Sequence, residues 1–157
     1  MASSSSFQEL LEDLRRFFPS ERLINDPLRL LAYGTDASFY RLIPKLVVKL
    51  ETESEVIHLL QTLAPYGIPV TFRAAGTSLS GQSVTDSVLG LLAWGWKDCR
   101  IEDEGRTIVL QPGVIGGQAN RMLAAYGRKI GPDPASIHSA MIGGIAANNA
   151  SGMCCGT

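Results

Sequence analysis

Between Leu46 and Phe72 two short apolar runs flank one amphipathic helix, and that pattern restricts the fold more than any other feature of the chain. Leu46-Val47-Val48 has no polar alternation and reads as a buried strand. Thr52 and Glu55, three apart, form a capping-box pair that starts a helix. Val56, Ile57, Leu60, Leu63 and Ala64 supply its apolar face, and Gly67 after Tyr66 stops it. Ile68 to Phe72 is a second strand. Strand, helix and strand in about 25 residues make a βαβ unit, whose parallel strands require the crossover. Val88 to Ala93 adds a third strand.

The second strand runs into Arg73-Ala-Ala-Gly-Thr-Ser-Leu-Ser-Gly-Gln82. Loops at the carboxyl ends of parallel strands are where α/β proteins bind ligands. Gly76 and Gly81 allow successive N–H groups to turn inward, and Thr77, Ser78 and Ser80 bring hydroxyl donors. Arg73 adds positive charge at the rim, and no carboxylate interrupts the loop. A phosphate or pyrophosphate needs that set of groups. The spacing from Gly76 to Ser83 matches a P-loop, except that Gln82 stands where the phosphate-binding lysine belongs. The pattern G-x-G-x-x-G does not occur.

Glycine and charge are unevenly spread. Fourteen of the 16 glycines lie at or after Gly76, and from Ile130 to Thr157 the one charged side chain is Asp133. Backbone so bare of side chain closes on itself, on a neighbouring element or on a ligand. A net charge of −1 gives no polybasic field for nucleic acid. The apolar run from Val88 to Trp96 is too short to span a bilayer. Three cysteines cannot complete a disulfide framework, which favours a reducing, cytoplasmic setting.

Elsewhere, Phe7, Leu10, Leu11, Leu14, Phe17 and Phe18 predict an amphipathic helix ended by Pro19. Residues 26–40 read as a short helix and irregular chain. Residues 99–102 and 107–111 flank Asp103-Glu-Gly105 as a hairpin, with Cys99 expected in the core. Ala119, Met122, Leu123 and Tyr126 mark a helix stopped by Gly127. Adjacent Cys154 and Cys155, without further ligands nearby, do not suggest a metal site. Trp94 and Trp96 read as interface anchors.

Two segments together resemble a known family. The loop at residues 73–82, then Pro132-Asp-Pro-Ala-Ser136, Met141-Ile-Gly-Gly144 and Asn148-Asn-Ala-Ser-Gly152, are similar to the FAD-binding domain of flavoproteins related to vanillyl-alcohol oxidase and p-cresol methylhydroxylase. The likeness is greatest to the branch holding D-lactate dehydrogenases and glycolate oxidase subunits. It covers about residues 44–157. The resemblance implies an α+β fold of the p-cresol methylhydroxylase type. A helical leader at 1–45 precedes a parallel βαβ subdomain at 46–96 and the start of a mixed, partly antiparallel subdomain at 97–157, with FAD clamped between the subdomains. It implies that Arg73, Ala74, Ala75, Gly76, Thr77, Ser78, Gly81 and Gln82 hold the pyrophosphate. Pro134, Ser136, Met141, Gly143, Gly144, Asn148, Ala150, Ser151 and Gly152 would flank the cofactor in the second loop.

Thr77 stands where some relatives tether the flavin through histidine, so non-covalent FAD is expected. The implied reaction passes a hydride from a small D-2-hydroxy acid, of the lactate or glycolate type, to the flavin. The family's substrate domain and catalytic histidine are not in these 157 residues, so no catalytic residue is assigned. The sequence is accordingly expected to be C-terminally incomplete, inactive alone, able to hold FAD weakly or not at all, and prone to self-association. Peripheral contact of the intact enzyme with the inner membrane face is compatible with the same reading. The rival readings are a P-loop-like nucleotide-binding protein and a non-catalytic nucleotide-binding module.

Overall fold

The computed structural model describes residues 4–92 and 94–152. The chain divides into two compact units, Met1–Arg73 with Ser78–Ala93 and Ala74–Thr77 with Trp94–Thr157.

The first unit is built on one four-stranded sheet in the order β1-β2-β4-β3. Its strands are β1 (Leu23–Ile24), β2 (Leu46–Leu50), β3 (Val70–Arg73) and β4 (Val88–Leu92). β4 lies between β2 and β3 and is parallel to both, in the registers Val48↔Gly90 and Phe72↔Gly90. β1 is antiparallel to β2 and too short to register in a sequence pattern. Ile68 and Pro69 precede β3, because proline has no N–H to give the ladder. Ala93, expected at the end of β4, lies outside the described residues.

β2 is buried on both faces, as central parallel strands are. Leu46, Val48 and Leu50 point to one side, where helices α1 (Ser4–Arg15) and α3 (Glu53–Leu63) cover them with Leu10, Leu14, Leu59 and Leu63. Val47 points to the other, against Leu89 and Leu30 of α2 (Pro27–Ala32). Each such leucine contributes about 2–3 kcal/mol by leaving water.

α1 ends at Arg15, and Phe18 still joins the core through a turn in which its N–H donates to the Leu14 carbonyl at 2.8 Å. Thr52 caps α3, its hydroxyl accepting from the Glu55 N–H at 3.3 Å. The other half of the expected capping box is displaced. The Glu55 carboxylate accepts from the Glu51 N–H at 2.7 Å and from Arg22 Nη1 at 2.9 and 3.0 Å. That pairing pulls Glu55 inward, so the buried face carries Glu55, Leu59 and Leu63 while Ile57 and Leu60 face outward.

In the second unit β5 (Cys99–Glu102) and β6 (Thr107–Leu110) form the expected hairpin. Its tip runs through three successive left-handed residues, Asp103, Glu104 and Gly105. Cys99 is half-buried, not core. α4 (Gly116–Leu123) follows, ending in a tightened turn and a left-handed Gly127. The same solution ends α3 at Gly67, and the sequences agree locally: Leu63-Ala-Pro-Tyr-Gly67 and Leu123-Ala-Ala-Tyr-Gly127. A fifth helix, α5 (Ile142–Ala147), sits inside the glycine-rich stretch, where two glycines hide its signal from a propensity reading.

Candidate functional site

The first loop leaves the carboxyl end of β3, with Gly76 and Gly81 both at positive φ, 70° and 71°. In that conformation a β-carbon is costly, so these turns call for glycine. The Ser78 hydroxyl organises the far side by accepting from the backbone N–H groups of Ser80 and Gln82, each at 3.3 Å. The same hydroxyl lies 3.4 Å from Gln82 Oε1. Arg73 and Ser78, Gly81 and Gln82 belong to the first unit, and Ala74, Ala75, Gly76 and Thr77 to the second.

Arg73 is more tied down than a rim charge. It is half-buried, and its Nη1 donates to the Tyr33 carbonyl at 3.2 Å. Burial pulls its ionisation constant down, and the nearby Asp36 carboxylate partly restores it. The partners of this loop therefore come from residues 33–43, which drew no functional reading from the sequence. Asp36 Oδ1 accepts from the Ser38 N–H at 2.8 Å and Oδ2 from the Ser83 hydroxyl at 2.9 Å. Burial would raise the Asp36 carboxyl, but hydrogen bonds from Ser38 and Ser83 together outweigh it and hold the group below its usual range. Tyr40 lies against the loop, where a β-carbon on Gly81 would come within 2.8 Å of its ring. The available signal was Asp36-Ala-Ser38, an Asx-turn pattern.

In the second unit the glycine-rich chain is pinned to the turn before α4. The N–H of Gly143 donates to the Pro112 carbonyl at 2.9 Å, and Ile142 to Val114 at 2.8 Å. Gly116 and Gly117 donate to Ala140 and Ile137. Met141 bridges Ile115 and caps α5. Pro134 and Ser136 offer carbonyls to Ile137, Ser139 and Ala140, forming the turn below α5. Asp133 donates its N–H to Ser151, bridges Gly152 in parallel, and pairs its carboxylate with Lys129 at 3.2 Å.

These contacts sort the predicted residues of the second loop. Gly143, Ala150 and Gly152 spend backbone groups or space on the protein itself. A β-carbon on Gly143 would lie 2.7 Å from Pro112 Cβ, Ala150 donates to Ile145, and Gly152 leaves no room beside the Asp133 carbonyl. Gly144, Asn148, Ser151 and Gly152 are exposed, although the Ser151 carbonyl accepts from the Asp133 N–H and the Gly144 carbonyl from the Asn148 N–H, and nothing lies within 4 Å of a β-carbon built on Gly144. His138 is exposed near the start of α4, its Nδ1 2.8 Å from a β-carbon built on Gly117. Cys154 and Cys155 lie outside the described residues. Among the described residues no cluster of His, Cys, Asp and Glu could hold a metal ion, and no helix is long and apolar enough to cross a membrane.

The donor set of the first loop fits a pyrophosphate. It combines hydroxyls, amides shaped by left-handed glycines and one arginine, with no carboxylate of its own. A family model described as FAD binding domain matches residues 44–157. The chain is 32% identical over 149 residues to the glycolate oxidase subunit GlcD of Escherichia coli (strain K12), covering 93% of this chain and 30% of that protein. It is 27% identical over 156 residues to the D-2-hydroxyglutarate dehydrogenase of Pseudomonas putida (strain ATCC 47054), covering 97% of this chain and 16% of that one. The chain thus spans less than a third of these relatives. Its fold is shared with an alkyldihydroxyacetonephosphate synthase (TM-score 0.76, 21% identity, 92% of this chain and 30% of that one). It is shared also with p-cresol methylhydroxylase (TM-score 0.65, 14% identity, 80% and 26%).

Proposed function

This chain belongs to the FAD binding domain family across residues 44–157, and on that premise we propose that it is the cofactor-holding part of a flavin-dependent oxidoreductase acting on small D-2-hydroxy acids. The observation that carries the reading is the loop after β3, where left-handed Gly76 and Gly81 turn the chain and Ser78 gathers the Ser80 and Gln82 amides. The names of the similar proteins, a glycolate oxidase subunit and a D-2-hydroxyglutarate dehydrogenase, support the substrate class.

When bound, FAD supplies the redox chemistry by accepting a hydride from the carbinol carbon. The residues of this chain bind and orient. Within residues 73–82, Thr77 and the backbone N–H groups not held by Ser78 donate hydrogen bonds to the pyrophosphate, while Ser78 shapes the loop by engaging the Ser80 and Gln82 N–H groups. Gly144, Asn148 and Ser151 line the cofactor from the second loop, where small uncharged side chains permit close approach. Gly143, Ala150 and Gly152 hold that loop in shape. Thr77 cannot form the tether that a histidine forms, so FAD is held without a covalent bond. The odd count of three cysteines supports a reducing, cytoplasmic compartment. Exposed Phe39, Leu28 and Tyr40 support self-association of the isolated chain, which light scattering against concentration measures.

The functional test is titration of the 157-residue chain with FAD and ADP, followed by flavin fluorescence. Both are expected to bind weakly, with Ser78→Ala loosening each about tenfold. Acid precipitation should leave all flavin in the supernatant. Thermal protection by Mg-ATP with none from FAD would instead favour a P-loop-like nucleotide site. In the protein as it exists in its cell, anaerobic addition of a D-2-hydroxy acid should bleach the yellow flavin, and failure with every short hydroxy acid would reject the substrate class.

A further inference from the structure

The first unit holds a polar cluster whose members are far apart in sequence. Arg73, which opens the first loop, donates to the Tyr33 carbonyl at 3.2 Å. Ser83, one residue beyond its end, donates to Asp36 Oδ2 at 2.9 Å. Asp36 Oδ1 is filled by the Ser38 N–H at 2.8 Å, and the Ser38 hydroxyl accepts from the Tyr40 N–H at 3.1 Å. The Tyr40 ring then occupies the space beside Gly81. Segment 33–43 thus holds the arginine at one end of the loop through the Tyr33 carbonyl and the serine beyond the other end through the Asp36 carboxylate.

An ionised carboxylate only accepts hydrogen bonds, so it cannot itself hold a phosphate, and beside one it repels. Asp36 is spent otherwise. Its oxygens are engaged by the Ser38 N–H and the Ser83 hydroxyl. We propose that Asp36 is a positioning residue, a brace that ties the carboxyl end of the loop at residues 73–82, through Ser83, to segment 33–43 and keeps the loop in its anion-receiving form before any cofactor arrives. The inference rests on the pyrophosphate reading of that loop for its purpose, but not for its geometry. A preformed loop binds more tightly because less ordering is left to the binding step.

The experiment uses the full 157-residue chain and the variants Asp36→Ala, Asp36→Asn, Ser83→Ala and Ser83→Thr. Amide hydrogen exchange of residues 78–83 is measured without ligand, and FAD and ADP affinities are measured alongside. Asp36→Ala should speed exchange at Ser80 and Gln82 and weaken both ligands, each about tenfold. Asp36→Asn, which keeps the acceptor but not the charge, should fall between. Ser83→Thr, which keeps the hydroxyl, should restore what Ser83→Ala loses. The Asp36→Ala and Ser83→Ala effects should be less than additive, because they remove one bond between them. Exchange in the β5–β6 hairpin should not change, which separates loosening of the loop from general unfolding.

Wild-type exchange and affinity in Asp36→Ala would overturn the brace. So would equal losses in Ser83→Thr and Ser83→Ala, or a rise in exchange spread evenly over the first unit. If the wild-type chain binds neither FAD nor ADP while Asp36→Ala still frees the loop amides, the pyrophosphate reading falls and the brace stands. If wild type binds and Asp36→Ala changes nothing, the brace falls and the pyrophosphate reading stands.

Discussion

Gly144 and Gly152 lie eight residues apart in the same loop and should answer the same substitution with opposite signs. Gly152 sits at φ 74° against the Asp133 carbonyl, so alanine meets both a disfavoured conformation and a backbone collision. Gly152→Ala should lower unfolding free energy by about 2 kcal/mol or more. Gly144 is inside α5 with open space around it, and there alanine should add about 0.5–1 kcal/mol by helix propensity. Urea midpoints measure both. If Gly144 lines the cofactor as proposed, Gly144→Ala should weaken FAD binding even as it stabilises the chain. Composition reveals the wealth of glycine but not this division, because what surrounds each residue comes from distant chain such as Pro112 and Asp133.

At the scale of the element, α3 shows how a charge can set a helix face. Glu55 is 9% exposed, accepts twice from Arg22 and also receives the Glu51 N–H. Glu55→Gln should destabilise by about 2 kcal/mol, because it weakens a buried charge-assisted pair while Arg22 keeps its own charge. Thr52→Ala should cost about 1 kcal/mol through the lost cap. The double substitution should be less than the sum, since both anchor the same first turn. The capping pair was legible because its spacing is local. The partner of Glu55 was not, because Arg22 lies 33 residues away and no periodicity connects the two. β1 and α5 escaped for a related reason. A two-residue strand and a six-residue helix with two glycines owe their form to packing rather than propensity.

For the molecule as a whole, the pH response should carry the mark of Asp36. Its folded ionisation constant lies below the usual carboxylate value, so folding favours the charged form. That contribution is complete above the unfolded value of about 4 and disappears as pH falls through the folded value. Wild type should therefore lose stability on acidification faster than Asp36→Asn, with the two curves converging below about pH 4. Urea unfolding at successive pH values measures this, and parallel curves would show that Asp36 ionises alike in folded and unfolded chains. Tyr66 acts in the opposite direction. Its phenol donates to Asp13 at 2.6 Å, which raises its ionisation constant, so that bond lasts until alkaline pH ionises the phenol.

The amino-acid sequence by itself determined the parallel strands and the crossover helix, the hairpin, the glycine helix stops and a carboxylate-free loop rich in glycine and hydroxyls after β3. Each of these rests on neighbours within a few residues, where periodicity, capping and turn chemistry act. Tertiary structure decided the placement of β4 between β2 and β3, the inward face of α3, the glycines committed to packing, and the support of the first loop by Asp36. Those features depend on which distant groups meet, and the energies of such meetings belong to the folded packing rather than to any local stretch of chain.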